Sequence, residues 1–390
     1  MTYEQQLETL LGKAMRTKTN PIGISGYQYC LDERIMLNPG MGRTQEAHAD
    51  LTLHWEDGSL SRHRLMLPLP VGEELPVQHW RRVRYFDRQR PSRSDESSPR
   101  SLHVCDEQIL QLAEQPLAYT RKEPWTATYT IHTRKLVNSE GAAKHEIVTE
   151  VHLRYDGPYS YSLYHRRKKP DDQELRYLHE EQHWLQAHRT VASGQIRKDA
   201  YLLFSPQAIR TLFHCGLAVF LTDRRKGEHL LPFIRFCADY SQLVVSHDPS
   251  KAWSLGSRML ASDGTTPERQ LLVAPGHASS SYLPRSFDPA SLHLDHPHKA
   301  RFHPLISAHG QVDYVPHLQV PESFSPYAQQ VGWAPFCMRF RNGIPAERGC
   351  ISFPFSLAAL IASPRLTLVS KVGWDGFGLA VPYHDLAHHP

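Results

Sequence analysis

Alternation between apolar and polar residues is the feature that most constrains how this chain folds. It runs from Trp125 to Leu136 and again from His145 to Tyr155, and a third extended run follows from Tyr159 to His165. Successive side chains of a strand point to opposite faces of a sheet. The three runs therefore predict an antiparallel meander with one polar face.

The first seventy residues predict a helix and a hairpin. Leucines at helical spacing favour a helix from Thr2 to Arg16, with Thr2 as its N-cap. Alternation over Ala49–Trp55, the turn signal Asp57-Gly58 and a return over Ser61–Leu69 predict two paired strands. The 29 prolines of the chain also favour strands and turns over a helical bundle.

The middle of the chain combines a polar loop with a predicted long helix. Arg88–Arg100 contains no apolar residue apart from its prolines, which predicts an exposed, mobile loop. Asp171–Ala192 has the pattern of a long helix. A short buried strand is expected at Tyr201–Phe204, and Ser205 followed by Pro206 is a favoured start for the next helix.

Beyond residue 230 the sequence predicts short strands separated by loops. The candidate strands are rich in β-branched and aromatic residues, namely Leu243–Ser246, Gln270–Val273, Ile351–Phe355 and Leu366–Val372. The predicted fold class is α+β, in two domains. Residues 1–196 would form an antiparallel sheet with flanking helices, and residues 197–390 a strand-rich domain.

Charge and cysteine usage exclude several classes of protein. The 44 Lys and Arg side chains against 40 Asp and Glu give a net charge of +4, which is weak support for a polyanionic partner. No apolar run approaches the length of a membrane helix, and the N-terminus lacks a signal-peptide pattern, so we expect a cytoplasmic protein. The six cysteines include no CxxC pair and predict reduced, mostly buried thiols.

From about residue 196 to residue 384 a series of turn and strand signals occurs in a characteristic order. They are Leu203-Phe204-Ser205-Pro206, Asp248-Pro249 after a strand, Asp263-Gly264 with Gly276 beyond a strand, Asn342-Gly343, the strand and helix over Ser352–Ile361, and Val372-Gly373-Trp374-Asp375. This order resembles the C-terminal half of the TldD/PmbA family, also called modulators of gyrase. The first half is similar to the family only in outline.

The resemblance implies a partnership between two kinds of subunit. TldD-like subunits look like zinc metallopeptidases, with HExxxH on the helix after Ser-Pro and a cysteine near the C-terminus as third ligand. TldE/PmbA-like subunits share the fold and lack these ligands, and the two form a heterodimer that processes peptides. The resemblance implies peptide as substrate, and the lack of an apolar run of membrane-helix length predicts no membrane partner.

This chain departs from the catalytic pattern of the family. Its helix carries His214, but the glutamate position is Cys215 and the second histidine position is Val219. No cysteine follows Asp375. Catalytic zinc needs three protein ligands and a base for its bound water. The resemblance therefore implies a non-catalytic TldE/PmbA-like subunit with no catalytic, cofactor-binding or metal-binding residue of its own, and zinc in the partner.

A literal HExxH motif offers an alternative. His179 and His183 would lie one turn apart on a helix and share one metal ion, with Glu180 as general base. The charged residues that precede the motif argue against a buried zinc helix, and an amphipathic helix accounts for the same segment. An active zinc peptidase or peptide-tailoring enzyme using this segment remains the alternative hypothesis.

Two further clusters, one of histidines and one of arginines with aromatic residues, have the residue types of binding sites. The run His293–His298, with His303 and His309 beyond it, would suit a metal, but a solvated loop with neutral histidines is expected. His384 and the histidines after it are expected in a frayed tail. The segment Arg81–Arg90 mixes arginines with aromatic residues, which gives a nucleic-acid-binding module as a second alternative.

Overall fold

The computed structural model describes three sheets and the helices packed on them. The described residues are 2–16, 23–38, 42–69, 83–84, 125–139, 143–156, 160–166, 168, 170–176, 190–191, 199–213, 235–236, 238–251, 256–258, 269–278, 291–320, 329–370 and 377–387. Within these ranges, no helix is long and apolar enough to cross a membrane. The fold class is α+β, as predicted.

The first sheet has seven antiparallel strands in the order β4-β3-β2-β1-β5-β6-β7. Its elements are α1 (Tyr3–Arg16), β1 (Ile24–Asn38), β2 (Gly42–Trp55), β3 (Ser59–Leu67), β4 (Val83–Arg84), β5 (Trp125–Asn138), β6 (Ala143–Asp156) and β7 (Ser160–Arg166). The predicted meander and hairpin are confirmed. Gly58 turns the hairpin at φ 77°, a conformation that glycine adopts readily.

Helix α1 covers one end of one face of this sheet. Leu7 and Leu11 are buried against Tyr29, Leu51 and Trp55. The predicted N-cap is confirmed, because the backbone N–H of Gln5 donates to Thr2 Oγ1 at 3.2 Å. Burial of this apolar stripe, rather than helix propensity alone, holds a helix of this length in place.

The rest of the chain forms a four-stranded sheet, β12-β11-β10-β13, and an eight-stranded sheet, β14-β18-β19-β9-β15-β16-β17-β8. The elements are β8 (Thr190–Val191), β9 (Tyr201–Phe204), α2 (Pro206–Phe213), β10 (Val244–His247), β11 (Gln270–Ala274), β12 (His277–Ala278), β13 (Leu292–Asp295), β14 (Lys299–Arg301), α3 (Phe302–Ala308), β15 (Gln311–Val315), β16 (Gln330–Arg341), β17 (Ile344–Phe355), α4 (Leu357–Ala362), β18 (Thr367–Ser370), β19 (Phe377–Pro382) and α5 (Tyr383–Ala387).

Both faces of the central part of the eight-stranded sheet are buried. One face packs against α2, α4 and the four-stranded sheet, with Leu202 and Phe204 of β9 at its centre. The opposite face, which includes Leu203, packs against α3 and against Tyr129 and Val151 of the first sheet. The two large sheets therefore share one hydrophobic core, which crosses the predicted boundary at residue 197.

The predicted helix over Asp171–Ala192 is wrong at its C-terminal end. Residues 172–176 are helical, but Thr190 and Val191 form β8, which pairs in parallel with Arg348 and Gly349 of β17. Two adjacent β-branched residues favour an extended backbone over a helix. Strand β8 therefore already belongs to the second large sheet.

The histidine segments are also more ordered than expected. The predicted loop from His293 to His309 contains β13, β14 and α3, because Phe302, Leu305 and Ile306 supply a buried face between the histidines. His384 lies in α5 and not in a frayed tail. Buried Leu386 anchors helix α5.

Candidate functional site

The start of helix α2 is the most tightly defined polar corner of the second half. The parallel strands β9 and β15 end side by side there. Ser205 caps the helix by accepting a hydrogen bond from the Ala208 N–H at 3.1 Å. The Ser205 hydroxyl also donates to the Pro316 carbonyl at 2.6 Å, which ties the helix to the strand that lies beside it. The predicted N-cap role of Ser205 is confirmed.

The polar side of α2 faces two half-buried histidines. Gln207 Nε2 lies 3.5 Å from His317 Nδ1. His293 Nε2 lies 3.3 Å from the Asp248 carbonyl, and Lys251 Nζ lies 3.4 Å from His293 Nδ1. We call this group the α2 corner. Sequence reasoning had placed His293 in a loop and had not singled out His317.

Both imidazoles of the α2 corner favour the neutral form. Burial lowers the pKa of His317. Burial, followed by the positive charges of Lys251 and Arg210, lowers the pKa of His293. Neutral histidines offer one hydrogen-bond donor and one acceptor each. His293 uses both ring nitrogens within the protein, so the Gln207–His317 pair is the part of the corner that is suited to hydrogen bonding with an uncharged polar group such as a peptide amide.

Metal-binding geometry is not found in the described part of the chain. No group of three or more His, Cys, Asp or Glu side chains there could hold a metal ion. His296 is buried, and its Nδ1 accepts from the backbone N–H of His298 at 3.1 Å, which organises its own turn. His309 stacks on Tyr201 with ring centroids 3.9 Å apart. His296 and His309 thus make structural contacts within the protein.

Several predicted site residues lie outside the described residues. They are His179, Glu180 and His183 of the HExxH motif, His214, Cys215 and Val219 of the helix that the resemblance singles out, and Asp375. Of the segment Arg81–Arg90, the backbone of Val83 and Arg84 is described as β4. The remaining residues of that segment also lie outside the described ranges.

A charged network is buried on three adjacent strands of the eight-stranded sheet. Arg339 Nε donates to Asp313 Oδ1 at 2.8 Å, and its Nη2 donates to Oδ2 at 3.2 Å. The same guanidinium reaches Glu347 Oε2 at 3.1 Å, and Arg341 donates to Oε1 at 2.6 Å. The hydrogen bond to Asp313 raises the pKa of Arg339. This network neutralises its own charges, which suits a structural role.

The first sheet carries a second network, on the face opposite α1. Arg134 Nη2 lies 2.7 Å from Asp32 Oδ2, and His132 Nε2 lies 3.4 Å from Glu150 Oε2. Burial alone would raise the pKa of Asp32. Hydrogen bonds to His132 and Arg134, together with the charge of Arg134, outweigh burial and hold that pKa well below its ordinary value.

Strand β17 lies next to β8, the last strand of the eight-stranded sheet. Among the described residues, only Thr190 and Val191 pair with this side of β17, opposite Arg348 and Gly349. Pro354 lies farther along the same strand. Proline in a sheet is confined mainly to edge strands, because it has no N–H to donate to a neighbour. Beyond Gly349, β17 has no partner strand on that side among the described residues.

Comparison with solved structures places this fold among a known group. TldE from Thermococcus kodakarensis superposes with a TM-score of 0.59 at 12% sequence identity, over 98% of this chain and 99% of that chain. A proposed modulator of a DNA gyrase from Thermotoga maritima gives a TM-score of 0.57 at 12% identity, over 98% and 99%. A proposed modulator of DNA gyrase from Bacteroides thetaiotaomicron gives 0.60 at 12%, over 97% and 96%.

Sequence comparison, by contrast, finds no match. No protein-family model matches the chain, and no curated protein matches it. At 12% identity the structural likeness shows a shared fold, over nearly the whole length of each protein. The fold implied by the resemblance to TldD/PmbA proteins is confirmed, including the first half, where the sequence agreed only in outline.

Proposed function

We propose that this chain is a non-catalytic TldE/PmbA-like subunit. It would pair in the cytoplasm with a TldD-like zinc metallopeptidase and help to form the chamber in which peptides are processed. The observation that carries the proposal is the end-to-end fold similarity to a TldE, which covers 98% of this chain. That similarity leaves no large part of the chain for an unrelated domain.

The sequence supports the part of the proposal that makes this chain a non-catalytic subunit. Cys215 and Val219 stand where the family's catalytic pattern has a glutamate and a second histidine, and no cysteine follows Asp375. A lone histidine supplies neither three zinc ligands nor a general base. Zinc and the hydrolytic step would therefore belong to the partner subunit.

The contribution of this chain would be to hold an extended peptide. Backbone groups on a sheet edge bind an extended segment independently of its sequence. The neutral imidazole of His317 and the Gln207 amide lie together at the α2 corner and offer hydrogen bonds to a peptide backbone. Uncharged donors and acceptors suit a peptide backbone and tolerate different side chains.

Native mass spectrometry of the tagged chain, purified gently from its own host, tests the proposal. We expect a complex with a second, TldD-like subunit, with zinc bound to that subunit. A lone chain or a homodimer that carries one zinc ion contradicts the proposal and favours the His179–His183 motif.

A matched pair of variants separates these outcomes. Glu180→Gln should leave peptide processing by the complex unchanged if the partner is the catalytic subunit. If the variant abolishes hydrolysis while the chain stays folded, then Glu180 is the general base and the alternative is correct. Glu181→Gln, at the adjacent position, is the control for loss of charge alone.

A further inference from the structure

A turn that follows β10 is tied to the residues at the start of β13. We call Asp248–Arg258, of which residues 248–251 and 256–258 are described, the β10 turn. The Asp248 N–H donates to the Ser291 carbonyl at 2.8 Å, and the Ser291 hydroxyl donates to the Gly256 carbonyl at 2.8 Å. Both ends of the turn are thus hydrogen-bonded to the same residue next to β13.

The His293 side chain of β13 adds two contacts to the turn. Its Nε2 lies 3.3 Å from the Asp248 carbonyl oxygen, and its Nδ1 lies 3.4 Å from Lys251 Nζ. A carbonyl only accepts hydrogen bonds, so Nε2 must carry a proton, and an ammonium only donates, so Nδ1 must not. Both contacts are therefore made only by the neutral imidazole with its proton on Nε2.

Two positive charges and one negative charge act on His293. Lys251 of the β10 turn and Arg210 of α2 disfavour a positive imidazole, while the Asp248 carboxylate favours one. That carboxylate already accepts from the Ser250 N–H at 3.1 Å and from the Ser250 hydroxyl at 2.6 Å. Burial disfavours the imidazolium most, and with Lys251 it lowers the pKa of His293 below its ordinary value.

The neighbouring strand positions do not stabilise a positive imidazole. Ser246, which is uncharged, lies opposite His293 on β10. Asp295 lies two residues along β13, on the same face of the strand, and pairs with Lys299 at 2.7 Å. The carboxylates of Asp248 and Asp295 are thus both engaged by other donors.

We propose that His293 and Lys251 form an acid-sensitive switch, which fastens the β10 turn to β13 near neutral pH and releases it in mild acid. A proton on Nδ1 sets two donors and two positive charges, those of His293 and Lys251, 3.4 Å apart. Lys251 is exposed and can move into water, but the half-buried imidazolium becomes hydrated only when the turn moves away. The switch lies within this chain and does not depend on the proposed function.

Linkage between proton binding and release gives the direction of the change and its pH range. In the released turn His293 is hydrated, and its pKa returns to the ordinary value of about 6.5. Because that pKa is lower while the turn is fastened, the released state binds the proton more tightly. The turn is therefore fully fastened above about pH 6.5, and release becomes more favourable as the pH falls below that value.

Amide hydrogen exchange of the full chain, followed by mass spectrometry at about pH 7.5 and about pH 5, tests the proposal. The N–H groups of Asp248 and Arg258, which donate to the Ser291 and Pro249 carbonyls, report on the turn. Helix α4 has no titratable side chain and reports on the rest of the fold. After correction for the pH dependence of the exchange chemistry, acid should lower the protection of the turn at least about threefold relative to α4.

Three variants identify the titrating group. His293→Gln keeps a donor for the Asp248 carbonyl and an acceptor for Lys251 but takes up no proton, so the acid effect should disappear. Lys251→Met removes the ammonium, and the effect should become smaller because burial remains the main cause that disfavours the imidazolium. His303→Gln, at an exposed histidine of α3, is the matched control and should respond as wild type does.

Three results would overturn the inference. The first is a turn that keeps its protection in acid, or that loses no more protection than α4 does. The second is an acid effect that persists in His293→Gln, and the third is an effect of the same size in Lys251→Met as in wild type. If His293→Gln does not fold, wild type and Lys251→Met still decide, because position 251 is exposed and tolerates the substitution.

Discussion

The two large sheets of this molecule differ in how far their charged side chains are exposed to water. The first sheet buries one face beneath α1 and the second half, and carries charged residues such as Asp32 and Arg134 on its other face. The central strands of the eight-stranded sheet are buried on both faces, and Asp313, with 0% exposure, lies among them against Arg339. A charge on the first kind of face keeps some contact with water, and a charge inside the second must be neutralised by protein.

This difference predicts in which sheet the removal of a charged partner costs more stability. A partly hydrated ion can recover solvent when its partner is lost. An ion without access to water keeps its desolvation cost and loses the compensation. The two networks therefore have similar geometry and should respond very differently to the same substitution.

The largest effect is expected from Asp313→Ala. Removing this carboxylate leaves Arg339 with only its contact to Glu347, and should lower the free energy of unfolding by about 4 kcal/mol. Urea denaturation at neutral pH measures the change. The double variant Asp313→Leu, Arg339→Met should recover most of the loss, because no unpaired charge remains. If Asp313→Ala costs no more than a surface substitution, the buried network contributes nothing to stability.

A second prediction concerns the core that the two sheets share. Leu305 of α3 is buried between the sheets, and Leu305→Ala should cost about 3 kcal/mol. Because that core contains residues of both halves, the tryptophan fluorescence and far-ultraviolet circular dichroism transitions in urea should shift together.

Leu11→Ala is the matched control, since Leu11 is buried only between α1 and the first sheet. It should cost a similar amount. Two separated transitions in Leu305→Ala, with only one of them shifted, would show that residues 1–196 and 197–390 fold as independent domains, as the sequence suggested.

The first sheet was largely predictable because one of its faces is polar along most strands. Alternation identified β5, β6 and β7 and the β2–β3 hairpin. It failed for β1, where Gln28, Tyr29, Cys30 and Leu31 are all buried. Both faces of that stretch are covered, so the period of two is lost from the sequence.

The eight-stranded sheet shows the same limit more fully. All five residues of β15 are buried, including Gln311 and Asp313, so the alternation of polar and apolar residues in this strand does not reveal that both of its faces are covered. The pairing of Asp313 with Arg339 depends on the register of β15 against β16, which joins residues 26 positions apart in the chain. Local turn chemistry did predict the Ser205 cap and the Asn342-Gly343 turn, because each is decided by adjacent residues.

In the candidate site, too, local interactions could be predicted from the sequence and long-range contacts could not. Ser205 was predicted because capping is a local interaction. His317 was not, because its contact with Gln207 spans 110 residues and depends on the parallel pairing of β9 and β15. Trp333 is 41% exposed, and this was equally invisible in the sequence, where tryptophan is usually a core residue.

The smallest expected effect comes from the network of Asp32 and Arg134 on the first sheet, whose side chains are partly exposed to water. Asp32→Asn should lower the free energy of unfolding by about 1–2 kcal/mol at pH 6, because the hydrogen bonds from Arg134 lose a charged acceptor. The pKa of Asp32 is lowered in the folded protein, so its contribution is present above its unfolded pKa of about 4 and is lost as pH falls through the folded value. Urea denaturation at pH 6 and pH 3 measures both quantities.

The comparison with Asp50→Asn separates this titration from a general effect of acid. Asp50 pairs with Arg64, whose side chain is 62% exposed, so that substitution should change stability by less than about 1 kcal/mol at pH 6. Wild type and Asp50→Asn should both lose stability between pH 6 and pH 3, and Asp32→Asn should lose less. An equal loss in all three proteins would mean that the Asp32 carboxylate is not held by Arg134 and His132.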